Sequence, residues 1–346
     1  MSMRVLDLFC GAGGSSLGAQ AAGATIACGI DSWPLASSTF ALNFPDAVAL
    51  NVALDERTGA KLLGKVQDID LILASPECTN HTCAKGAKPR DEESRRSARY
   101  VLRFARQLRP RWIVLENVVQ MRSWAGYDSL IGELQALGYH VRPQVLDAAC
   151  FGVPQTRRRL FLLCDRERTP EAVSVPVMPV RVGREILDPA GAWRSTPLRN
   201  GKRAPATLER AKRAIGALGR GVPFLIVYYG SDGAGGWHGL DRPLRALTTL
   251  DRFGLVTWDG NRPMLRMLQV PELKRAMAFK ENFRLEQGTR RDRIRLLGNA
   301  VCPPVMEAAV RSLTRTGLTV MPDQHDRKRL ALSSRQVSGV EQRLSL

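Results

Sequence analysis

Arg4-Val5-Leu6-Asp7-Leu8-Phe9-Cys10-Gly11-Ala12-Gly13-Gly14 is the stretch on which the fold turns. Its apolar start reads as a strand, and the glycines that follow let the backbone turn tightly and admit a ligand close to the main chain. Ser15–Ala22 continues as a helix. Thr25–Ile30 forms a second strand that ends at Asp31. Leu71–Ala74 and Ile113–Leu115 are short strands, each running into a chemically suggestive segment, Pro76-Glu77-Cys78 and Glu116-Asn117-Val118. Strands alternating with helices predict an α/β fold with a mainly parallel sheet and helices on both faces. In such sheets ligands sit at the carboxyl ends of the strands, where these segments fall.

The chain has 346 residues, 44% of them hydrophobic, enough for one large domain or two modest ones. A formal net charge of +18 and a pI near 10.3 make a polyanion the first candidate partner. Seven cysteines show no C-x-x-C spacing. Free thiols in a reducing compartment are therefore expected, with no metal site. No apolar run is long enough to span a membrane. A strand-like run at the N-terminus leaves no room for a signal peptide, so a cytoplasmic protein is expected.

After Leu163 the character changes. Residues 166–240 are rich in Pro, Gly and Arg, with Val222–Tyr229 as their clear strand, and read as a smaller, irregular domain. Helical patterning returns from about Met264, through Leu268–Phe279 and Pro304–Leu313. The last stretch is polar and basic and predicts a disordered tail. The expected divisions are 1–165, 166–240, 241–315 and 316–346.

Individual residues carry the chemistry. Asp31, at a strand end, can accept hydrogen bonds from both hydroxyls of a ribose or cap the next helix. Cys78 is followed by a polar stretch, Thr79–Arg99, that includes Lys85, Lys88, Arg90, Arg95 and Arg96. A basic loop of this kind can close on a polyanion and lower a thiol pKa. Cys83 lies in the same loop and is the competing thiol. A carboxylate such as Glu116 at a buried strand end has a raised pKa and can hold or donate a proton. Arg157 and Arg159 share a strand face at period two and, with Gln155, present donors to a base or a phosphate.

Taken in order, these segments resemble the signatures of the DNA (cytosine-5) methyltransferases, over roughly residues 3–315. The resemblance rests on Asp7 to Gly14, on Leu115-Glu116-Asn117-Val118 and on Phe151-Gly152-Val153-Pro154-Gln155-Thr156-Arg157-Arg158-Arg159. Gly298-Asn299-Ala300-Val301 and Arg242-Pro243 with Thr248-Thr249 complete it. It implies a Rossmann-like class I methyltransferase domain at 1–165, a target-recognition domain at 166–240, and a segment at 241–315 that packs back on the first. S-adenosylmethionine is the implied cofactor and double-stranded DNA the implied partner. A cognate restriction endonuclease is a candidate second partner, and a monomer is expected.

By the same resemblance Cys78 is the nucleophile for carbon 6 of a flipped-out cytosine. Glu116 holds N3 and the exocyclic amine, Arg159 the base carbonyl, and Arg157 supports the site. Phe9, Gly11, Ala12, Gly14, Asp31, Ser32, Asn51 and Asn299 form the cofactor pocket. The chain departs from the family at Glu77 and Thr79, which flank the nucleophile, at Asn51, where an aspartate is usual, and at Ser32, beside Trp33, where a large side chain is common. A tRNA methyltransferase and a DNA-binding homologue with impaired catalysis are the rival readings.

Overall fold

The computed structural model describes residues 2–76, 97–229 and 235–314. Cys78, its neighbours Glu77 and Thr79, Cys83, the basic run through Arg96 and the tail beyond 314 lie outside the described residues.

Strands β1 (Arg4–Leu8), β2 (Thr25–Asp31), β3 (Val48–Asn51), β4 (Leu71–Ala74) and β5 (Trp112–Val118) pair in parallel. They are followed by β6 (His140–Asp147), β7 (Gln155–Thr156) and β8 (Arg158–Asp165). β8 runs antiparallel to both β5 and β6, completing a seven-stranded sheet of order β3-β2-β1-β4-β5-β8-β6. The strand order reverses between β1 and β4, which opens a crevice at their carboxyl ends.

Continuous apolar runs in β1 and β4 demand cover on both faces. Helices α1 (Gly14–Ala21) and α2 (Pro34–Asn43) place Leu17 and Phe40 on one face, against Val5, Leu71 and Leu73. Helices α3 (Tyr100–Leu108) and α4 (Tyr127–Ala136) place Phe104 and Leu130 on the other, against Leu6, Ile72 and Ile113.

A second sheet follows. It is built from β9 (Thr196–Pro197), β10 (Phe224–Val227), β11 (Trp237–Gly239), β13 (Phe253–Asp259) and β14 (Arg262–Met267), in the order β11-β10-β13-β14-β9. Helix α5 (Pro205–Leu218) covers one face of it with Ala211 and Ala214. The short strand β12 (Leu244–Arg245) pairs instead with β7. Helices α6 (Val270–Ala276), α7 (Arg290–Asn299) and α8 (Pro303–Thr314) return to the first sheet, where α8 adds Val305, Met306 and Val310 to the α1 face.

Three expectations change. The small sheet extends past residue 240, to Met267. Met264–Met267, where helical patterning was expected to begin, belongs to strand β14, because Gly260-Asn261 closes a two-residue hairpin with Asp259 opposite Arg262. Helix α6 is shorter than Leu268–Phe279: Glu272 accepts the Gln269 backbone N–H at its start, and Ala278 takes a left-handed φ of 56° just past its end. The same Glu272 is fully buried and receives both arms of Arg266 at 2.6 and 2.7 Å, pinning β14 to α6. Among the described residues no helix is long and apolar enough to cross a membrane.

Asp7, fully buried on β1, accepts the Ser16 hydroxyl at 2.6 Å. Burial pushes its carboxyl up to about 7. An unfolded chain releases that proton near pH 4, so stability is full below that point and falls as pH rises to about 7. The loss amounts to roughly 4 kcal/mol for a shift of about three units. In urea titrations the midpoint should drop between about pH 5 and about pH 8, and Asp7→Asn should flatten that slope. The slope should not vanish, because burial also raises Asp31 and Glu116.

Candidate active site

The carboxyl ends of β1, β2, β4 and β5, closed by the end of α7, surround a cavity of about 530 Å³. A larger hollow, about 700 Å³, lies against the small sheet between Trp193 and Trp258, and none of the motif residues lines it. The motif cavity is therefore the candidate site.

At one end stands the glycine turn. Phe9 lines the cavity and takes a left-handed φ of 60°, which turns the chain out of β1. Gly11 N–H donates to one Asp31 oxygen and Trp33 N–H to the other, both at 2.8 Å. Asp31 thus ties the turn to the loop before α2, and Trp33 occupies the cap position itself. Burial raises the Asp31 pKa, against the pull of these two hydrogen bonds and of Arg295. A carboxylate holding one donor per oxygen keeps lone pairs for further donors. Ser32 and Trp33 form the adjoining wall, and the Arg295 guanidinium lies over the Trp33 ring at 4.5 Å. Asn299, Ala300 and Val301 enter the same wall from the far end of the sequence.

Three of the expected cofactor residues, Ala12, Gly14 and Asn51, are not among those lining the cavity. Asn51 does not line the cavity: its side-chain amide donates to the Asp31 carbonyl at 3.0 Å, joining β3 to β2. Val52, Ala53 and Leu54 form the wall at that level. Ala12 is buried in the core. Gly14 serves packing, since a Cβ there would sit 2.3 Å from the Val301 carbonyl oxygen. The main chains of the two distant segments touch there, and only glycine permits it.

At the other end Glu116 is buried with the Arg159 Nε 3.2 Å from its carboxylate. Burial raises the Glu116 pKa, while Arg159, Arg157 and a hydrogen bond from Ser75 oppose the rise. Next to it, the Asn117 amide donates to the Pro76 carbonyl at 3.2 Å, fixing the chain two residues before Cys78. Cys78 itself lies outside the described residues.

Arg157 and Arg159 both line the cavity, but their tasks differ. Arg157 is buried, and its guanidinium donates to the carbonyls of Leu247 at 2.9 Å, Gly298 at 2.8 Å and Ala300 at 3.1 Å. Its neighbour Gln155 accepts the Leu247 N–H and donates to the Ala276 carbonyl. The two side chains hold the returning C-terminal segment in place. Ser15, Ser75 and Arg295 also line the site. Ser15 and Ser75 are small hydroxyls in apolar stretches and Arg295 is one arginine among many, so only Ser75, by its place one residue before the Pro76-Glu77-Cys78 segment, gave any sequence signal.

A strand–glycine turn–helix leading to a strand-end aspartate, and a buried glutamate–arginine pair across one cavity, define a methyltransferase-like α/β site. The family model for C-5 cytosine-specific DNA methylases matches residues 3–186, more than half of the chain, and the chain belongs to that family. It is 29% identical over 305 residues to the Type II methyltransferase M.HgiDI of Herpetosiphon aurantiacus, covering 86% of this chain and 90% of that one. With M.AplI of Arthrospira platensis it shares 29% identity over 324 residues, 90% of this chain and 86% of the relative. The solved Dnmt2 methyltransferase of S. pombe superposes with a TM-score of 0.66 at 18% identity, over 90% of this chain and 98% of that one. That likeness is one of fold.

Arg157→Ala should leave three buried carbonyls without their donor and cost about 3 kcal/mol or more in urea titrations. Arg157→Lys keeps the charge but loses the fork, and should fall between the two.

Proposed function

We propose that this protein methylates carbon 5 of a cytosine in double-stranded DNA, using S-adenosylmethionine and a transient bond from Cys78 to carbon 6 of the base. The observation that carries the reading is the single cavity with Phe9, Gly11, Asp31 and Asn299 at one end and Glu116 and Arg159 at the other. Pro76, two residues before Cys78, lies on its wall.

The residues present suit the cofactor. Asp31 has acceptor capacity left for ribose hydroxyls, Trp33 offers an aromatic wall, and the Gly11 and Asn299 segments bring backbone close on either side. When bound, S-adenosylmethionine supplies an electrophilic methyl group.

Carbon 5 of cytosine is a poor nucleophile, stacked inside a duplex. Extruding the base costs a few kcal/mol and exposes it to the cavity. The Cys78 thiolate forms a sulfur–carbon 6 bond, and the electron pair displaced from the carbon 5–carbon 6 double bond enriches carbon 5. Glu116 holds a proton at N3 and so stabilises that density, a task that its burial favours. Arg159 keeps Glu116 aligned and offers donors to the base carbonyl. Once carbon 5 is alkylated, loss of its proton restores the double bond and expels the Cys78 sulfur.

Sequence reading falls to the smaller domain. Arg184, Arg194, Arg199, Lys202 and Arg220 are exposed there and suit phosphates or guanine edges. The resemblance in fold to Dnmt2 carries no substrate, whereas the family match favours DNA. Labelled S-adenosylmethionine with duplex DNA or with tRNA decides the point: label should enter the DNA.

Duplex DNA carrying 5-fluorocytosine at the target should trap the enzyme covalently, since fluorine blocks the final proton loss. Cys78→Ser should abolish trapping and Cys83→Ser should not. Trapping that survives in Cys78→Ser would overturn the nucleophile. Glu116→Gln should lower turnover on the order of 10²–10⁴-fold with little change in cofactor affinity. Near-normal turnover would mean that another group protonates N3.

A further inference from the structure

Ser75 follows β4 directly. Its N–H donates to the Leu8 carbonyl at 3.2 Å, which anchors its backbone at the end of β1. The pairing of Ala74 with Leu115 sets Ser75 beside Glu116 on the neighbouring strand. Its hydroxyl faces the Glu116 carboxylate, whose pKa it pulls down against burial, and lies 3.3 Å from the hydroxyl of Ser15. Ser15 belongs to the first turn of α1, directly after the glycine turn, and is itself buried. All three side chains line the one cavity. Three strands and a helix thus fix a chain of polar atoms that runs from the glycine turn to the carboxylate.

We propose that Ser75 is a positioning residue for Glu116, the middle of a Ser15–Ser75–Glu116 relay through which the glycine-turn end of the cavity governs the carboxylate that meets the base. The proposal rests on the assignment of Glu116 above. Two physical consequences follow. A hydroxyl donating to the carboxylate restricts its rotamer and holds one oxygen toward the strand end, leaving the other for the base. The same bond favours the ionised form, so that its removal lets the Glu116 proton bind more tightly. Arg159 approaches Glu116 along β8, from the other side of β5, and does not replace that contact. The other charged and titratable groups facing the carboxylate are Arg159, Arg157 and the buried thiol of Cys302, and none of them is altered in sequence when Ser75 is changed.

The test uses the full chain, labelled S-adenosylmethionine and unmethylated mixed-sequence duplex DNA, with kcat and the cofactor KM measured across pH. Ser75→Ala should lower kcat by about ten- to a hundredfold, a loss smaller than that of Glu116→Gln. The cofactor KM should change less than about threefold, because the pocket walls remain. The alkaline limb of the kcat profile, where Glu116 loses its proton, should move to higher pH in Ser75→Ala. Ser75→Thr, which keeps the hydroxyl, should return both kcat and the limb toward wild type. Ser15→Ala should move the limb in the same direction by a smaller amount. Far-ultraviolet circular dichroism and the urea midpoint establish that each variant is folded.

Glu116→Gln separates the two possible failures. A limb present in wild type, absent in Glu116→Gln and unmoved in folded Ser75→Ala overturns the relay alone. A limb that persists in Glu116→Gln overturns the assignment of Glu116 and the relay with it. Failure of Ser75→Thr to restore what Ser75→Ala removes, in a folded protein, overturns the hydroxyl as the operative group.

Discussion

One buried guanidinium sets the geometry on which the site depends. Arg157 gathers the carbonyls of Leu247, Gly298 and Ala300, which belong to segments 90 or more positions away from it. A planar fork can serve several acceptors at fixed angles, which a lysine cannot. Because a buried cation without partners is strongly unfavourable, the folded state tolerates only arrangements that bring those carbonyls in. Gly298 completes the constraint, since a Cβ there would lie 2.3 Å from the Thr248 carbonyl oxygen. The C-terminal wall of the cavity thereby has one position available to it.

With the walls fixed, burial sets the acid–base character. Asp7, Asp31 and Glu116 all stand on strands of one sheet, β1, β2 and β5, and desolvation is the largest influence raising each of them. Their partners differ. Asp7 has a hydroxyl, Asp31 has two backbone N–H groups, and Glu116 faces two arginines. Burial thus raises a carboxyl group at each end of the cavity, Asp31 and Glu116, against different partners, and no metal ligand set occurs among the described residues.

Four strands of the central sheet were legible because each is a short apolar run leading to a distinctive residue: Phe9 after β1, Asp31 on β2, Pro76 beyond β4, Glu116 on β5; β3 and β6, the latter without an apolar run, were not read. The motifs signalled which residues converge, and the cavity contains most of them. The reading failed where local pattern carries no information on distance. Asn51 and Gly14 lie in the right segments, yet their atoms are directed to the Asp31 carbonyl and to Val301 instead. Period two alone puts Arg157 and Arg159 on one face, and only their surroundings make one a clamp and the other a partner for Glu116. The small sheet was missed beyond residue 240 because the Gly260-Asn261 hairpin signal sat beside a stretch read as helical. Ser15 gives no pattern at all, and Ser75 only its place before Pro76-Glu77-Cys78. Their significance comes from strand register and a turn of helix, neither of which a one-dimensional reading contains.

The long separation between Arg157 and Gly298, 141 residues, also has a temporal meaning. A ribosome adding ~5–20 residues per second needs roughly 7–30 s to supply the second after the first. Throughout that interval the nascent chain carries the guanidinium and the strands, but not the carbonyls that receive it or the wall that Asn299 and Val301 provide. Chain topology of this kind, rich in contacts between remote segments, also slows folding. The catalytic cavity is hence among the last features of the molecule to form, and a chain released early lacks it, however complete its first sheet.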